Sequence, residues 1–262
     1  MSESKAETPP LSLGELLELG RWNTPTIYNG WERITRHDSV RDGFNLEPAH
    51  DFMPALGPMV GYAVTLVVEL SNPMHAQQRP EAFFEFLESL SASGLPGILV
   101  VQDLDKPRCF GSALGEVFGT IARSFGCVGA IVDGGLRDID EMARVGFKAI
   151  GRQLCVGHGA GGLVRWNCPV EVFGRTVRPG QLIHADKHGF LAIPFGEERG
   201  LLEAARRMDS AECNTFLSVA RASAGKPARQ IIAELRAARD EFRRRAMRDS
   251  CEHARKSPGI EW

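Results

Sequence analysis

The chain lacks most of the features that would place it outside the ordinary soluble enzymes. Its 262 residues hold six cysteines but no Cys-x-x-Cys pair, so neither a zinc knuckle nor a thioredoxin-like redox motif is written locally. Several of these cysteines sit in apolar segments, where cysteine behaves as a small hydrophobe, and reduced thiols in a cytoplasmic protein are the simplest expectation. The longest nearly uncharged apolar run, Gly61 to Val68, falls far short of the roughly 20 residues a membrane helix requires. A formal net charge of -2, with no basic stripe interleaved with aromatics, argues against nucleic acid as the main partner, because phosphate binding needs a concentrated positive field. No Walker loop occurs, which moves nucleotide-dependent chemistry out of the front rank. Residues 1–10 are polar and proline-bearing, predict disorder, and contain no apolar stretch of signal-peptide type.

What remains is enough apolar residue, 43%, to bury a full core. Leu11 to Leu19 has helical spacing, and Asn23-Thr24-Pro25 supplies a cap and an early proline for a second helix over Thr26 to Ile34. Thr35 to Ala55 has no period and reads as loop. Val60 to Leu70 and Gly97 to Gln102 predict strands on either side of a helix over Pro80 to Leu90. Strand and helix alternate as far as Arg144, which favours parallel pairing. Beyond it, short segments punctuated by Gly and Pro, from Phe147 to Ile193, predict an antiparallel layer. Leu201 to Ser223 and Pro227 to Arg248 are helical in pattern, and the excess of Lys and Arg after residue 225 reads as a solvated helix face. The expected organisation is a disordered segment 1–10, one catalytic domain over 11–224 and a helical extension over 225–262.

Chemistry concentrates between Glu116 and Asp138. Ser112 to Phe125 carries apolar residues at helical spacing, Cys127 to Val132 reads as a buried strand, and Gly134-Gly135 reads as a turn that closes on Arg137-Asp138. Ligands of open α/β folds collect at the carboxyl ends of parallel strands, so this turn is the expected site. A guanidinium grips a carboxylate at two points, and an adjacent carboxylate holds a hard divalent cation. The competing reading is that Arg137 and Asp138 are a structural ion pair that caps the helix after them. Glu116 stands at the start of its own helix, so two crossovers would present acids on one side of a sheet, and the backbone N–H groups of Val117 and Phe118 would be orphan donors for an anionic ligand.

Other candidates are weaker. His184, Asp186 and His188 alternate as a metal site on an extended chain would, yet Asp186 to Gly189 is also an ordinary hairpin turn. His75 and His158 are loop histidines that could reach a ligand, and Glu212 lies on a helix that could dock on a neighbouring subunit. Cys109 has no paired histidine for nucleophilic catalysis.

Taken together, Asn23-Thr24-Pro25-Thr26-Ile27, Gly97 to Asp103, Gly115-Glu116, Val132 to Asp138, Val177-Arg178-Pro179-Gly180 and His184 to Gly189 resemble the RraA-like superfamily. That superfamily includes divalent-metal pyruvate aldolases for 4-hydroxy-4-methyl-2-oxoglutarate and 4-carboxy-4-hydroxy-2-oxoadipate, and the regulator of ribonuclease activity A. The resemblance implies an α/β, layered β/β/α fold with a mixed parallel and antiparallel sheet core and a C-terminal helical tail, assembled as a homotrimer or homohexamer with sites between subunits. It implies that Arg137 binds the pyruvyl portion of a small 2-oxo acid. Asp138 would hold Mg2+ or Mn2+, Glu116 would support the metal through water, and the backbone at Gly115, Val117 and Phe118 would bind the ligand carboxylate. Regulator-type members often lack the aspartate after the arginine, which this chain keeps. The implied activity is lyase cleavage of a 4-hydroxy-2-oxo diacid to pyruvate through a metal-stabilised enolate, accompanied by oxaloacetate decarboxylation. A non-catalytic regulator and a lyase for another oxo or hydroxy acid are the alternatives. The family's aldolases commonly carry aspartate where Glu116 stands, a difference that bears on substrate size.

Overall fold

A strand buried on both faces must be apolar at every position, whereas a strand with one wet face alternates. Gly97-Ile98-Leu99-Val100-Val101 and Ala130-Ile131-Val132 belong to the first kind, and they form the centre of the molecule. The computed structural model describes residues 11–90 and 96–256, with side chains as far as residue 245. The disorder expected for residues 1–10 lies outside the described residues.

The amino-terminal part runs α1 (Leu13–Leu19), α2 (Thr24–Trp31), α3 (Ser39–Asp42), β1 (His50–Asp51) and β2 (Met59–Glu69). The central part follows with α4 (Met74–Gln78), α5 (Ala82–Leu90), β3 (Gly97–Asp103), β4 (Ser112–Leu114), α6 (Glu116–Ser124), β5 (Cys127–Leu136), α7 (Ile139–Arg144) and β6 (Lys148–Leu154). Then come β7 (Gly162–Trp166), β8 (Val170–Val172), β9 (Arg175–Val177), β10 (Leu182–Asp186) and β11 (Gly189–Ile193). The chain ends in α8 (Glu198–Asn214), α9 (Phe216–Arg221) and α10 (Ala228–Lys256).

The main sheet has the order β1-β6-β5-β3-β2-β10-β11, with β4 beside β5 and β7 beside β2. β2, β3, β5 and β6 are parallel, as the alternation of strand and helix requires, whereas β1, β7, β10 and β11 pair antiparallel. Side chains alternate between two cores. Leu99, Val101, Ala130 and Val132 face Phe86, Ala122, Met142 and Phe147 on the helical side. Ile98, Val100 and Ile131 face Val172, Phe173 and Val177 of the β8–β9 hairpin and Phe190. A third core joins α1, α2 and α8 to β10 and β11 through Leu19, Ile27, Trp31, Leu191 and Leu201. The result is the layered, mixed α/β arrangement.

Caps fix the entry of the first helices. Ser12 and Glu15 form a capping box on α1, and Asn23 accepts from the Thr26 amide at the start of α2. No helix among the described residues is long and apolar enough to cross a membrane.

Several expectations change. The segment read as loop over 35–55 contains α3 and β1, and His75 stands on the short helix α4 rather than in a loop. Phe147 to Gly151 and Gln153 to Val156, expected as two short strands of the antiparallel layer, fall on the single strand β6 (Lys148–Leu154), parallel to β5 because α7 carries the chain back across the sheet. The helix expected over Ser112 to Phe125 begins only at Glu116, since Ser112 to Leu114 is claimed by pairing with the end of β5. Gly134 and Gly135 form no turn but continue β5 to Leu136.

Candidate functional site

The site arises from that short extra strand. Ser112 pairs with Gly135 and Leu114 with Leu136, and the Arg137 amide donates to the Leu114 carbonyl at 3.2 Å. Two strands therefore end side by side, so the first turn of α6 and the first turn of α7 open toward the same space. Gly115 precedes α6 and has no side chain with which to cap it.

Asp138 supplies the missing acceptor. Its Oδ2 takes the Glu116 amide at 3.1 Å and lies 3.3 Å from Arg137 Nε. It makes no side-chain hydrogen bond to its own helix, α7, so the ion pair expected between Arg137 and Asp138 is present but does not cap that helix. Its backbone is left-handed, at φ 54 and ψ 42, a conformation that is costly for a non-glycine residue and that turns the carboxylate toward α6. Arg137 and Asp138 side chains are each 35% exposed, so both are held yet reachable. A β-carbon on Gly115 would stand 2.5 Å from Asp138 Oδ2 and 3.1 Å from Arg137 Nε. Only glycine leaves room there.

Glu116 is exposed at the first position of α6, next to Val117, itself 70% exposed. Phe118 turns inward onto the rings of Phe83 and Phe86, which anchors the helix start. The helix's own hydrogen bonding resumes with the Gly119 amide donating to Gly115. The N–H groups of Val117 and Phe118 precede that bond and, as first-turn donors, are available to an anion.

Gly115, Glu116, Arg137 and Asp138 are thus brought together, with the Val117 and Phe118 amides beside them. The remaining candidates are engaged elsewhere. His75 pairs with Glu69 through Nε2. Glu212 accepts from Asn29 at 3.2 Å, tying α8 to α2. His158 contacts the Gly159 carbonyl. The His184, Asp186 and His188 triplet does not act as a ligand set. His184 is buried between Thr24 Oγ1 and the Leu19 carbonyl, and burial lowers its pKa to about 4, so it is neutral packing that ties α2 to β10. Asp186 accepts from the Thr24 amide and from His188. Among the described residues no group of three or more His, Cys, Asp or Glu side chains is placed to hold a metal. Residues 157–162 have Gly-x-Gly-x-x-Gly spacing, but they lead into β7 and not into a helix, so no dinucleotide cradle forms.

Sequence reasoning misses the charged network behind the site. Asp133, fully buried, accepts from Lys106 Nζ at 2.6 Å, Arg152 Nε at 2.8 Å and the Phe173 amide at 3.0 Å. It fastens the β8–β9 hairpin to the end of β5. Asp103 lies beneath it with Oδ1 accepting from the Asp105 amide and Oδ2 unpartnered, and burial pushes its pKa up to about 6. The one signal in the sequence is an aspartate inside an apolar run, at Asp133.

A profile of the RraA-like family, described as Aldolase/RraA, matches residues 24–192. The chain belongs to that family. Among its relatives, a protein of Halalkalibacterium halodurans provisionally named 4-hydroxy-4-methyl-2-oxoglutarate aldolase is 31% identical over 43% of this chain and 53% of its own length. An Arabidopsis thaliana protein of the same provisional name is 32% identical over 39% of this chain and 61% of its own. The matched region thus spans only about half to three fifths of these relatives. Of solved structures, Streptomyces coelicolor RraAS2, described as an unusual member of the RNase ES inhibitor RraA protein family, superposes with a TM-score of 0.62. It shares 19% identity over 78% of this chain and 96% of that one. An uncharacterized protein from Pseudomonas syringae pv. tomato reaches 0.66 at 18% identity, over 89% and 99%. At such identities the structural likeness establishes the RraA-like fold.

Proposed function

We propose that the chain is a divalent-metal-dependent lyase that releases pyruvate from a 4-hydroxy-2-oxo diacid. The observation that carries this reading is the cradle of Gly115, Arg137 and Asp138, in which a carboxylate abandons its own helix to sit 3.3 Å from a guanidinium beside free helix N–H groups. The names of the relatives point to the same class of reaction.

The donor set fits Mg2+ or Mn2+. Small hard cations keep several waters and take one or two protein carboxylates, so Asp138 as the direct ligand, with Glu116 exposed at the same helix start to order water, is sufficient. A bound cation at Asp138 supplies Lewis acidity toward the substrate's 2-keto oxygen. The protein's own groups do the rest. Arg137 neutralises and orients the pyruvyl carboxylate, and the Val117 and Phe118 amides hold its oxygens. Asp138 keeps its position because the Glu116 amide bonds it at 3.1 Å. As the C3–C4 bond breaks, the C4 hydroxyl gives its proton to water ordered by Glu116 and becomes the carbonyl of the second product, while the bond's electron pair leaves with pyruvate as its enolate, which takes a proton back from that water. Loss of carbon dioxide from oxaloacetate leaves the same enolate, so decarboxylation accompanies cleavage.

Exposed apolar residues stand beside the site: Val117, 70% exposed in the first turn of α6, and Leu154, 52% exposed and paired with Leu136 directly before Arg137. Such a rim supports assembly of subunits around the site, as a trimer or hexamer. The test is pyruvate release across a panel of 4-hydroxy-2-oxo diacids and oxaloacetate with magnesium. Activity is expected to vanish with a chelator and in Asp138→Ala. Activity that survives both changes refutes the reading.

A further inference from the structure

We propose that Cys109 and Cys155 are a redox-responsive pair that closes into a disulfide when the protein meets a peroxide. They stand far apart in sequence, Cys109 in the connection between β3 and β4 and Cys155 directly after β6. The fold brings both sulfurs over one α-carbon. A β-carbon on Gly135 would lie 2.5 Å from Cys109 Sγ and 2.8 Å from Cys155 Sγ, so only a glycine at this point of β5 lets the two thiols share the space. Each thiol also faces a backbone carbonyl, Cys109 that of Gly111 at 3.3 Å and Cys155 that of Gly157 at 3.5 Å. Both cysteines are half-buried, within reach of a small oxidant, whereas Cys127 is enclosed in the core.

The two sulfurs differ in role. Burial, and after it the neighbouring Cys109, pushes the Cys155 thiol up to about 11, so Cys155 keeps its proton. The Cys109 sulfur attacks one peroxide oxygen; the O–O bond breaks, the other oxygen leaves as water with the Cys109 proton, and Cys109 becomes a sulfenic acid. The Cys155 sulfur then attacks the Cys109 sulfur, the S–O bond breaks, and the hydroxyl leaves as a second water with the Cys155 proton. Two thiols lose two electrons and one peroxide gains them. Closing the bond to about 2.05 Å draws the two loops together over Gly135, two residues before Arg137. The inference stands whether or not the chain is an aldolase, because its readout is the cross-link.

The full chain is treated with hydrogen peroxide, its remaining thiols are blocked with an alkylating reagent, and it is digested without reduction for mass spectrometry. The expected result is a Cys109–Cys155 peptide as the main cross-link, within a chain that runs as a monomer on a non-reducing gel and regains both thiols with dithiothreitol. In Cys155→Ser the cross-link is lost and Cys109 passes on to the sulfinic acid. Alkylation of both cysteines after peroxide, sulfinic acid at Cys109 in the unaltered chain, or cross-links dominated by other cysteines would overturn the proposal.

Discussion

Gly115→Ala isolates the cradle from the fold. The backbone at Gly115 is extended, at φ -144 and ψ -169, so alanine is locally unstrained and the half-exposed position leaves the cores untouched. The added β-carbon would meet Asp138 Oδ2 at 2.5 Å, against an ordinary contact of about 3.5 Å, so the carboxylate must retreat by roughly 1 Å or release the Glu116 amide. Misplacement of a catalytic group by about 1 Å costs about 100-fold in rate, or about 2.7 kcal/mol of transition-state stabilisation. The assay is kcat/KM for pyruvate release with saturating magnesium, alongside thermal unfolding of the same preparation. The expected outcome is a drop of about two orders of magnitude with a melting temperature within a few degrees of the parent. Full activity in Gly115→Ala would show that Asp138 and Arg137 do not act from this cradle. A variant that unfolds early would instead place Gly115 in the stability of the fold, against the reasoning given.

Removing the buried Asp133 carboxylate in Asp133→Ala leaves Lys106 and Arg152 without their shared counter-charge and costs about 3 kcal/mol, read by urea unfolding at pH 7. Asp103→Asn tests the raised acid. Its folded pKa of about 6 exceeds the ordinary 3.8, so Asp103 favours the fold below about pH 4 and that contribution is lost as pH rises through 6. The variant is therefore expected to gain on the parent across that window, by up to about 3 kcal/mol at pH 7, and to match its pH profile below 4. A parallel profile for the two proteins over pH 4 to 7 would contradict the assignment.

The parallel core was legible because strands buried on both faces have no alternative but continuous apolar sequence, as in Gly97 to Val101. The caps of α1 and α2 were legible because capping is local chemistry. The Arg137-Asp138 pair stood out as adjacent charges after an apolar strand, and its convergence with Gly115 and Glu116 followed from the order of elements. Distance in sequence hid the rest. β4 shares its apolar spacing with α6, and only the carboxyl end of β5, beyond its pairing with β3, decides that Ser112 to Leu114 is strand. Gly134 and Gly135 look like a turn, yet they are glycine because Asp103 and the two cysteine sulfurs press against β5. Nothing local announces that Lys148 is buried in a 2.6 Å ion pair with Asp51, or that His184 is tied to Thr24.

The central claim is that Asp138 and Arg137 together bind a 2-oxo acid with a divalent cation. Calorimetric titration of oxalate, a mimic of the pyruvate enolate, into the full chain with and without magnesium tests it most directly. The account predicts saturable binding only when magnesium is present, lost in Asp138→Ala and in Arg137→Ala. Oxalate binding of equal strength without the metal, or undiminished in Asp138→Ala, would contradict it.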